Sequence, residues 1–364
     1  MPVASTVLRP GGECRWFLGV ALMVGIASIA ALISGTVVGV PVAEIHASYT
    51  LVVLKVGLLA IPLVAAPLAF LALIRGVRSP FSELRKALVS KAGSLDLAIG
   101  TLGPIVLMPI LLGAYGTLKQ IMPLIAPFAW DDTLAGVDLL LLGGFHPMEV
   151  THFILGSSRP TRAIGVIYGL WLPLLFFAVL GFSVFAPAYL RARFFVAFAA
   201  SWLLVGVVAA YLLSSAGPCY AELVGATSGK RFAPMLSEMR ALNVGMFGWQ
   251  DELWEAYSEH RYGFGYGISA MPSMHNTIAF IYVVAAAGAR LWIRLASWAF
   301  AAVILIGSVH LGWHYLADGL VAWAAAAAIW WGAGRYLDWC GYLPGRARAF
   351  RHADDAELPE PLPA

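Results

Sequence analysis

Three ionisable residues with helical spacing lie at the junction of two apolar runs near the end of the chain. His310, His314 and Asp318 occur in "GSVHLGWHYLADGL" at positions i, i+4 and i+8. Because four residues advance an α-helix by about 400°, this spacing predicts that the three share one stripe. Asp318 can accept a hydrogen bond from one ring nitrogen of His314 and leave the other nitrogen free. His314 is therefore a candidate nucleophile oriented by an aspartate.

A further histidine lies in the first turn of a predicted helix upstream. The stretch "MPSMHN", residues 271–276, places Pro272 near the first helical position, where its missing N–H does no harm. Free backbone N–H groups and the hydroxyl of Ser273 at such a terminus suit the binding of a phosphate. His275 is then placed to protonate a leaving oxygen. The two stretches together predict phosphoryl chemistry shared between two histidines.

The elements that must position these residues are membrane-spanning helices. The 364 residues are 60% hydrophobic and 12% charged, whereas soluble chains have about 45–50% apolar and 25% charged residues. Apolar runs of about twenty residues cross about 30 Å of hydrocarbon. The sequence predicts an all-α polytopic membrane protein with about eight spans, at residues 16–40, 50–75, 97–116, 163–186, 193–213, 271–289, 292–311 and 315–336. The first span is longer than a signal-peptide core, so we expect an uncleaved helix.

The basic residues predict the orientation of these spans. Fifteen of the 23 lysines and arginines fall on alternate span ends: Arg9, Arg15, Arg75, Arg78, Arg85, Lys86, Lys91, Arg191, Arg193, Arg290, Arg294, Arg335, Arg346, Arg348 and Arg351. The positive-inside rule then makes both termini cytoplasmic and the long loops 117–162 and 214–270 outward. We expect an integral protein of a bacterial inner membrane, with its site on the periplasmic or extracellular side. The net charge of +3 reflects the membrane topology and indicates no nucleic-acid partner. The three cysteines imply no disulfide framework.

Three regions follow from this pattern. Residues 1–96 hold two spans and a basic amphipathic segment at 75–93, expected as a helix on the membrane surface. Residues 97–340 form the predicted catalytic membrane domain of six spans. Residues 341–364 end in the acidic, proline-rich "DDAELPEPLPA" and predict a disordered cytoplasmic tail.

The two histidine stretches resemble a known family. "PSMHN" and "LGWHYLADGL" are similar to the second and third signature motifs of the phosphatidic acid phosphatase type 2 superfamily. Upstream, "LKQIMPLIAPFAWDDTLAGVD" and "SSAGPCY" resemble the lipid phosphotransferase branch that includes inositol phosphorylceramide synthases and their bacterial relatives. The resemblance implies a six-helix catalytic bundle, here preceded by two helices. It also implies a phosphohistidine on His314, with Asp318 as its orienter, His275 as acid and base, and Ser273 in contact with the phosphate. Neither a metal nor another cofactor is implied.

The sequence departs from the family pattern at the phosphate-binding cations. Ser308 stands where the superfamily phosphatases have an arginine, and the first motif has only a near match in "HFILGSSRP", residues 152–160. Other outward cations must then balance the phosphate charge: Lys119, Arg159, Lys230, Arg231, Arg240 and Arg261. Lys119 and Arg261 flank the motif regions and are favoured. Arg159, together with Asn276 and Tyr220 from the quoted motifs, completes the predicted substrate-binding set.

The function expected from these features is a lipid phosphotransferase or phosphatase. It would move a phosphoryl or substituted phosphoryl group from a phospholipid or polyprenyl-phosphate donor to an alcohol or water. Two alternatives stay open: a metal-dependent membrane hydrolase with His310, His314 and Asp318 as ligands, and a lipid transporter or binding scaffold. Asp131 and Asp132 are either metal ligands or residues that cap a helix or face solvent in the loop.

Overall fold

The computed structural model describes residues 12–74, 95–242 and 245–342, and every regular element in these ranges is helical. The helices are α1 (Gly12–Val38), α2 (Val42–Ile74), α3 (Leu95–Ile125), α4 (Asp131–Leu141), α5 (Pro147–Leu155), α6 (Ser158–Gly169), α7 (Trp171–Phe185), α8 (Ala188–Leu203), α9 (Ala210–Leu212), α10 (Gly229–Ala241), α11 (Met246–Ser258), α12 (Met274–Ala285), α13 (Leu291–His310) and α14 (Leu316–Trp339). A π-helical stretch, Leu204–Ala209, joins α8 to α9. The predicted surface helix at 75–93 and residues 343–364 of the predicted tail lie outside the described ranges.

The predicted all-α membrane architecture is confirmed. Seven segments among the described residues are long and apolar enough to cross a membrane: Cys14–Val38, Val42–Leu59, Ala98–Ile125, Ser158–Phe185, Ala188–Leu212, Leu291–His310 and Leu316–Trp339. The span predicted at 271–289 is a helix of only 12 residues, Met274–Ala285. At 1.5 Å per residue it covers about 18 Å, which is less than a bilayer's hydrocarbon core.

Helix α3 is longer than the predicted span at 97–116. It continues to Ile125 and includes Pro104, Pro109 and Pro123. The apolar run weakens at Lys119 and Gln120, but the side chain of Gln120 donates to the Gly116 carbonyl and leaves the helix intact. Lys119 is therefore carried on a rigid helix rather than on a loop.

The N-terminal helices α1 and α2 and the helices α8, α12, α13 and α14 meet in one core. Helices α1 and α2 pack along α3, while α12 lies between α8, α13 and α14. Small residues permit these close contacts: Ala322, Ala326 and Ala333 of α14 are buried, and small side chains let membrane helices approach closely. A side chain at Gly319 of α14 would collide with Leu305 of α13.

A second apolar cluster lies at the end of α13 and the starts of α12 and α14. Its buried members include Leu134 of α4, Met148 of α5 and Phe232 of α10, packed with Tyr315 at the start of α14. The segments predicted as long loops therefore contain the helices α4, α5, α10 and α11. These short helices cover the region in which the two histidine stretches meet.

Candidate active site

His314 and Asp318 form a buried pair at the start of α14. The chain leaves α13 at His310, turns through Gly312 with a positive φ of 75°, and begins α14 at Leu316. His314 Nδ1 lies 3.3 Å from Asp318 Oδ2, and the side chains of both residues are almost fully buried. Asp318 also accepts the backbone N–H of Tyr315 at 3.0 Å. Because Nδ1 faces the carboxylate, Nε2 is the nitrogen available for chemistry.

His275 faces this pair from the first turn of α12. Its ring centroid lies 6.0 Å from that of His314, with 59° between the ring planes. Two aromatic rings hold it: Tyr168 stacks at 4.8 Å and Trp171 lies at 4.1 Å. Trp171 Nε1 also donates to the His275 carbonyl at 3.1 Å. The two histidine rings thus face each other although 38 residues separate them in the sequence.

The start of α12 is organised around Ser273. Its hydroxyl oxygen accepts from the backbone N–H of Asn276 at 3.3 Å and from Asn276 Nδ2 at 3.1 Å. The same Nδ2 donates to Ser308 Oγ at 3.2 Å, so Asn276 links the residue that replaces the family arginine to the cap of α12. The backbone N–H groups of Met274 and His275 find no acceptor among the described residues. They and the hydroxyl hydrogen of Ser273 are free for an anion.

The start of α14 is held by an aspartate that sequence reasoning missed. Asp138 of α4 accepts the backbone N–H of Leu316 at 2.8 Å and that of Ala317 at 2.9 Å. Burial raises the pKa of Asp138 to about 6. The available signal was its position seven residues after Asp131, which places both on one face of a helix.

Asp131 and Asp132 are structural acceptors. Asp131 accepts the backbone N–H groups of Ala216 and Gly217 at 2.9 and 2.8 Å, and the Tyr315 hydroxyl at 3.0 Å. Its neighbour Asp132 accepts the backbone N–H groups of residues 227 and 228 at 3.1 and 2.8 Å. Helix α4 therefore ties two loops and the start of α14 together through three carboxylates.

Among the candidate cations, Lys119 is carried by a membrane helix. It is half-buried on α3, and its charge acts electrostatically on His275. Within the described ranges its side-chain ammonium makes no hydrogen bond or ion pair. Lys119 therefore carries a positive charge that no described carboxylate balances and that acts on His275.

Arg261 has a different environment. It pairs with three glutamates, Glu252 at 3.0 Å, Glu255 at 3.4 Å and Glu259 at 2.9 Å. These carboxylates already balance its charge at the exposed end of α11.

The other predicted substrate-binding residues lie in varied settings. Arg159 and Lys230 are exposed, whereas Arg231 and Arg240 are paired with Glu149 and Asp251 at 2.7 and 3.1 Å. Tyr220 is buried, and its hydroxyl donates to the Gln250 carbonyl at 2.9 Å. The structure thus brings Ser273 and Asn276 to the histidine pair, while Tyr220 is engaged by the protein itself.

His310 does not share a stripe with His314 and Asp318, so that expectation is wrong. Gly312 ends α13, and the three residues lie on two helices and the turn between them. His310 Nε2 lies 3.1 Å from Thr161 Oγ1, and the His310 carbonyl accepts from His152 Nε2 at 2.8 Å. In the described part of the chain, no group of three His, Cys, Asp or Glu residues could hold a metal ion. The ligand set of the metal-hydrolase alternative therefore does not come together.

The fold and the site define a class: a helical integral membrane protein in which two histidines and an aspartate meet at the starts of α12 and α14. Residues 132–332 match the family model described as the PAP2 superfamily. This match covers more than half of the chain and includes all three pocket residues, so the chain belongs to the PAP2 superfamily. Members of this superfamily are generally phosphatases or phosphotransferases that act on lipid phosphates. No curated protein and no solved structure matches the chain.

Proposed function

We propose that this protein is a lipid phosphotransferase that works through a phosphohistidine on His314. The observation that carries the proposal is the geometry of the two histidines. The ring centroids of His275 and His314 lie 6.0 Å apart, and Asp318 Oδ2 lies 3.3 Å from His314 Nδ1. A phosphorus atom between the two rings could be reached by His314 Nε2 on one side. On the other side, His275 would donate a proton to the leaving oxygen.

The first half-reaction transfers the group to the protein. The lone pair of His314 Nε2 attacks phosphorus, and the bond between phosphorus and the leaving oxygen breaks. The electron pair stays on that oxygen, which takes a proton from His275. Asp318 accepts a hydrogen bond from the Nδ1–H of His314, which keeps its proton, and stabilises the positive charge that develops on this ring.

The second half-reaction regenerates the protein. An acceptor hydroxyl loses its proton to His275, and its oxygen attacks phosphorus. The bond between phosphorus and Nε2 breaks, and its electron pair returns to the ring of His314. Throughout both steps, the phosphate oxygens would be held by Ser273, the free N–H groups of α12 and Lys119. Each such donor contributes about 10²–10³-fold to the rate.

The charge of the pocket favours a phosphodiester donor and an alcohol acceptor. A phosphomonoester carries about −1.5 to −2 charges at pH 7, whereas a diester carries one. Lys119 is the favoured cation that lacks a carboxylate partner among the described residues, and Ser308 replaces the family arginine. This balance agrees with the resemblance to inositol phosphorylceramide synthases. Hydrolysis by water is the simpler reaction of the same intermediate.

The orientation and location of the site are also proposals. The alternating basic clusters support cytoplasmic termini and a pocket on the opposite face of the membrane. The donor would then be drawn from the leaflet on that side of a bacterial inner membrane.

The product assay tests this function directly. Purified protein in vesicles would be incubated with phosphodiester and phosphomonoester lipid donors, with and without polyols, and the products identified by mass spectrometry. We expect a phosphorylated polyol or another transfer product from the diester, and its loss in His314→Ala. His260→Asn, at an exposed histidine outside the pocket, is the matched control and should keep its activity. Products that form equally with His314→Ala protein of normal fold would overturn the proposal.

A further inference from the structure

Helices α4 and α5 each carry an apolar stripe that faces away from the protein. On each helix three exposed apolar positions follow an i, i+3, i+4 pattern, which places them on one face. They are Val137, Leu140 and Leu141 on α4, and Val150, Phe153 and Ile154 on α5. Leu140 is 84% exposed and Phe153 is 93% exposed. Neither helix belongs to a segment long enough to span the membrane.

Helix α4 is amphipathic in the opposite sense to a helix at a water-covered surface. Asp131 and Asp138 face the protein and are 3% and 2% exposed, while Leu140 and Leu141 face outward. Leu134 is buried against the protein, and Asp132 is exposed in the first turn of the helix. A helix in contact with water hides its apolar stripe and presents its charges. The inverted arrangement indicates that the outer face of α4 is not in contact with water.

The surroundings of the two helices indicate what covers this face. The candidate span on α3 ends at Ile125, just before α4, and the candidate span that starts with α6 begins at Ser158, just after α5. The stripes are thus continuous along the chain with the lipid-facing spans. They contain no charged residue, whereas Arg159 and Arg162 in the first turns of α6 are exposed and suited to lipid phosphates.

We propose that α4 and α5, named here the interfacial hairpin (residues 131–155), lie in the leaflet on the side of the site, with both stripes in contact with acyl chains. This is the mode of a helix that lies in the membrane interface rather than across it. The polar ends agree with this position, because Asp132 bonds to a loop and Glu149 pairs with Arg231 on the protein side.

The inner face of the interfacial hairpin holds the catalytic turn. Asp138 bonds to the start of α14, and His152 Nε2 donates to the carbonyl of His310 at the end of α13. The hairpin therefore separates the acyl chains from the turn that carries His314. Under the proposed function, on which this last step rests, it forms a wall along which the chains of the lipid donor reach the pocket.

Site-directed spin labelling tests the position of the interfacial hairpin without any activity measurement. A nitroxide would be attached to Phe153→Cys in a background in which Cys14, Cys219 and Cys340 are alanine, and the protein placed in vesicles of anionic and zwitterionic phospholipids. Asp251→Cys on α11, an exposed polar position, is the control. We expect the label at 153 to be several-fold less accessible to a water-soluble nickel complex than the label at 251, and more accessible to oxygen.

Two outcomes would overturn the placement in lipid. Equal nickel accessibility at both positions would mean that the stripe faces water. Exclusion of both oxygen and nickel from position 153 would mean a protein contact, such as a second copy of the chain. Leu140→Cys on α4 provides a second label, so that one poorly folded variant does not decide the result.

Donor chain length tests the contribution to substrate binding. We expect Phe153→Asp to raise the apparent KM several-fold for a long-chain donor in vesicles and to leave a short-chain, water-soluble donor unaffected. Equal losses with both donors would overturn the guiding role while the labelling result stands. Inactivity of the unchanged protein on every donor would count against the proposed function instead.

Discussion

The helices α12 and α14 both begin beside His275 and His314, but the protein uses their first N–H groups in opposite ways. At the start of α14, the N–H groups of Tyr315, Leu316 and Ala317 all donate to carboxylates of the protein. At the start of α12, the N–H groups of Met274 and His275 have no acceptor within the described residues.

The difference separates two tasks that rest on the same physics. A helix N-terminus carries a partial positive charge and free donors. At α14 these donors bond to the carboxylates of Asp138 and Asp318. The negative charge of Asp318 lies next to His314 Nδ1 and would stabilise a positive charge on that ring. At α12 they are left for a negative ligand. Under the proposed function, one terminus orients the nucleophile, and the other binds the phosphate.

Loss of charge at α14 should have the largest effect. Asp318→Asn removes the carboxylate that orients His314, and we expect kcat to fall about 10⁴-fold, as when the orienting aspartate of a catalytic triad becomes an amide. Steady-state assays with vesicle-borne donor provide the measurement. Asp338→Asn at the far end of the same helix is the control and should have little effect. Retention of near-normal kcat by Asp318→Asn would contradict the role of α14.

Loss of positive charge beside α12 should be the next largest effect. Lys119→Met keeps the length of the side chain and removes the charge, and we expect kcat/KM to fall about 10²–10³-fold because a charge-stabilising donor is lost. The exposed Lys230→Met serves as the control. Equal kcat/KM values for the two variants would remove Lys119 from the phosphate site.

The smallest effect should come from loss of the carboxylate of Asp138, which accepts the N–H groups at the start of α14. Asp138→Asn and Asp132→Asn each alter a carboxylate that accepts two backbone N–H groups, so each should cost about 1 kcal/mol of stability. Only Asp138→Asn should also lower kcat, by about tenfold or 1.4 kcal/mol. Thermal unfolding and kcat, measured on both variants, distinguish the two. Equal losses of kcat would mean that Asp138 is merely structural.

The pH dependence sharpens this test. The carboxyl of Asp138 faces the N–H groups of Leu316 and Ala317 and the charge of Asp318, and burial raises its pKa from 3.8 to about 6. As pH falls through about 6, Asp138 gains a proton, loses its charge and loosens the start of α14. Wild-type kcat should decline there. Asp138→Asn, which is uncharged at every pH, should lack this contribution.

Much of the pocket followed from the sequence because its signals are local. Ser273, His275, His314 and Asp318 lie in two short stretches whose spacing is set by helix geometry. The predicted spans 292–311 and 315–336 already placed a break between His310 and Asp318. The shared stripe was wrong because it treated the i, i+4, i+8 spacing as one continuous helix across the turn at Gly312, where φ is positive.

The supporting contacts were not predictable because they join distant parts of the chain. Asp138 bonds to backbone groups 178 and 179 residues away, and backbone donors leave no mark in a sequence. The apolar pattern of the interfacial hairpin was visible in "DDTLAGVDLLL", but which face turns inward depends on where those distant donors lie. For Arg261, by contrast, the acidic residues at 252, 255 and 259 were a nearby sign that its charge is balanced.

The most direct test of the account is to trap the intermediate in a rapid-quench reaction with a labelled donor and locate the label by peptide mass spectrometry. The account predicts an acid-labile, base-stable phosphoryl or substituted phosphoryl group on Nε2 of His314, formed within one turnover and absent from His314→Ala protein. Label on another residue, or normal turnover by folded His314→Ala protein, would contradict it.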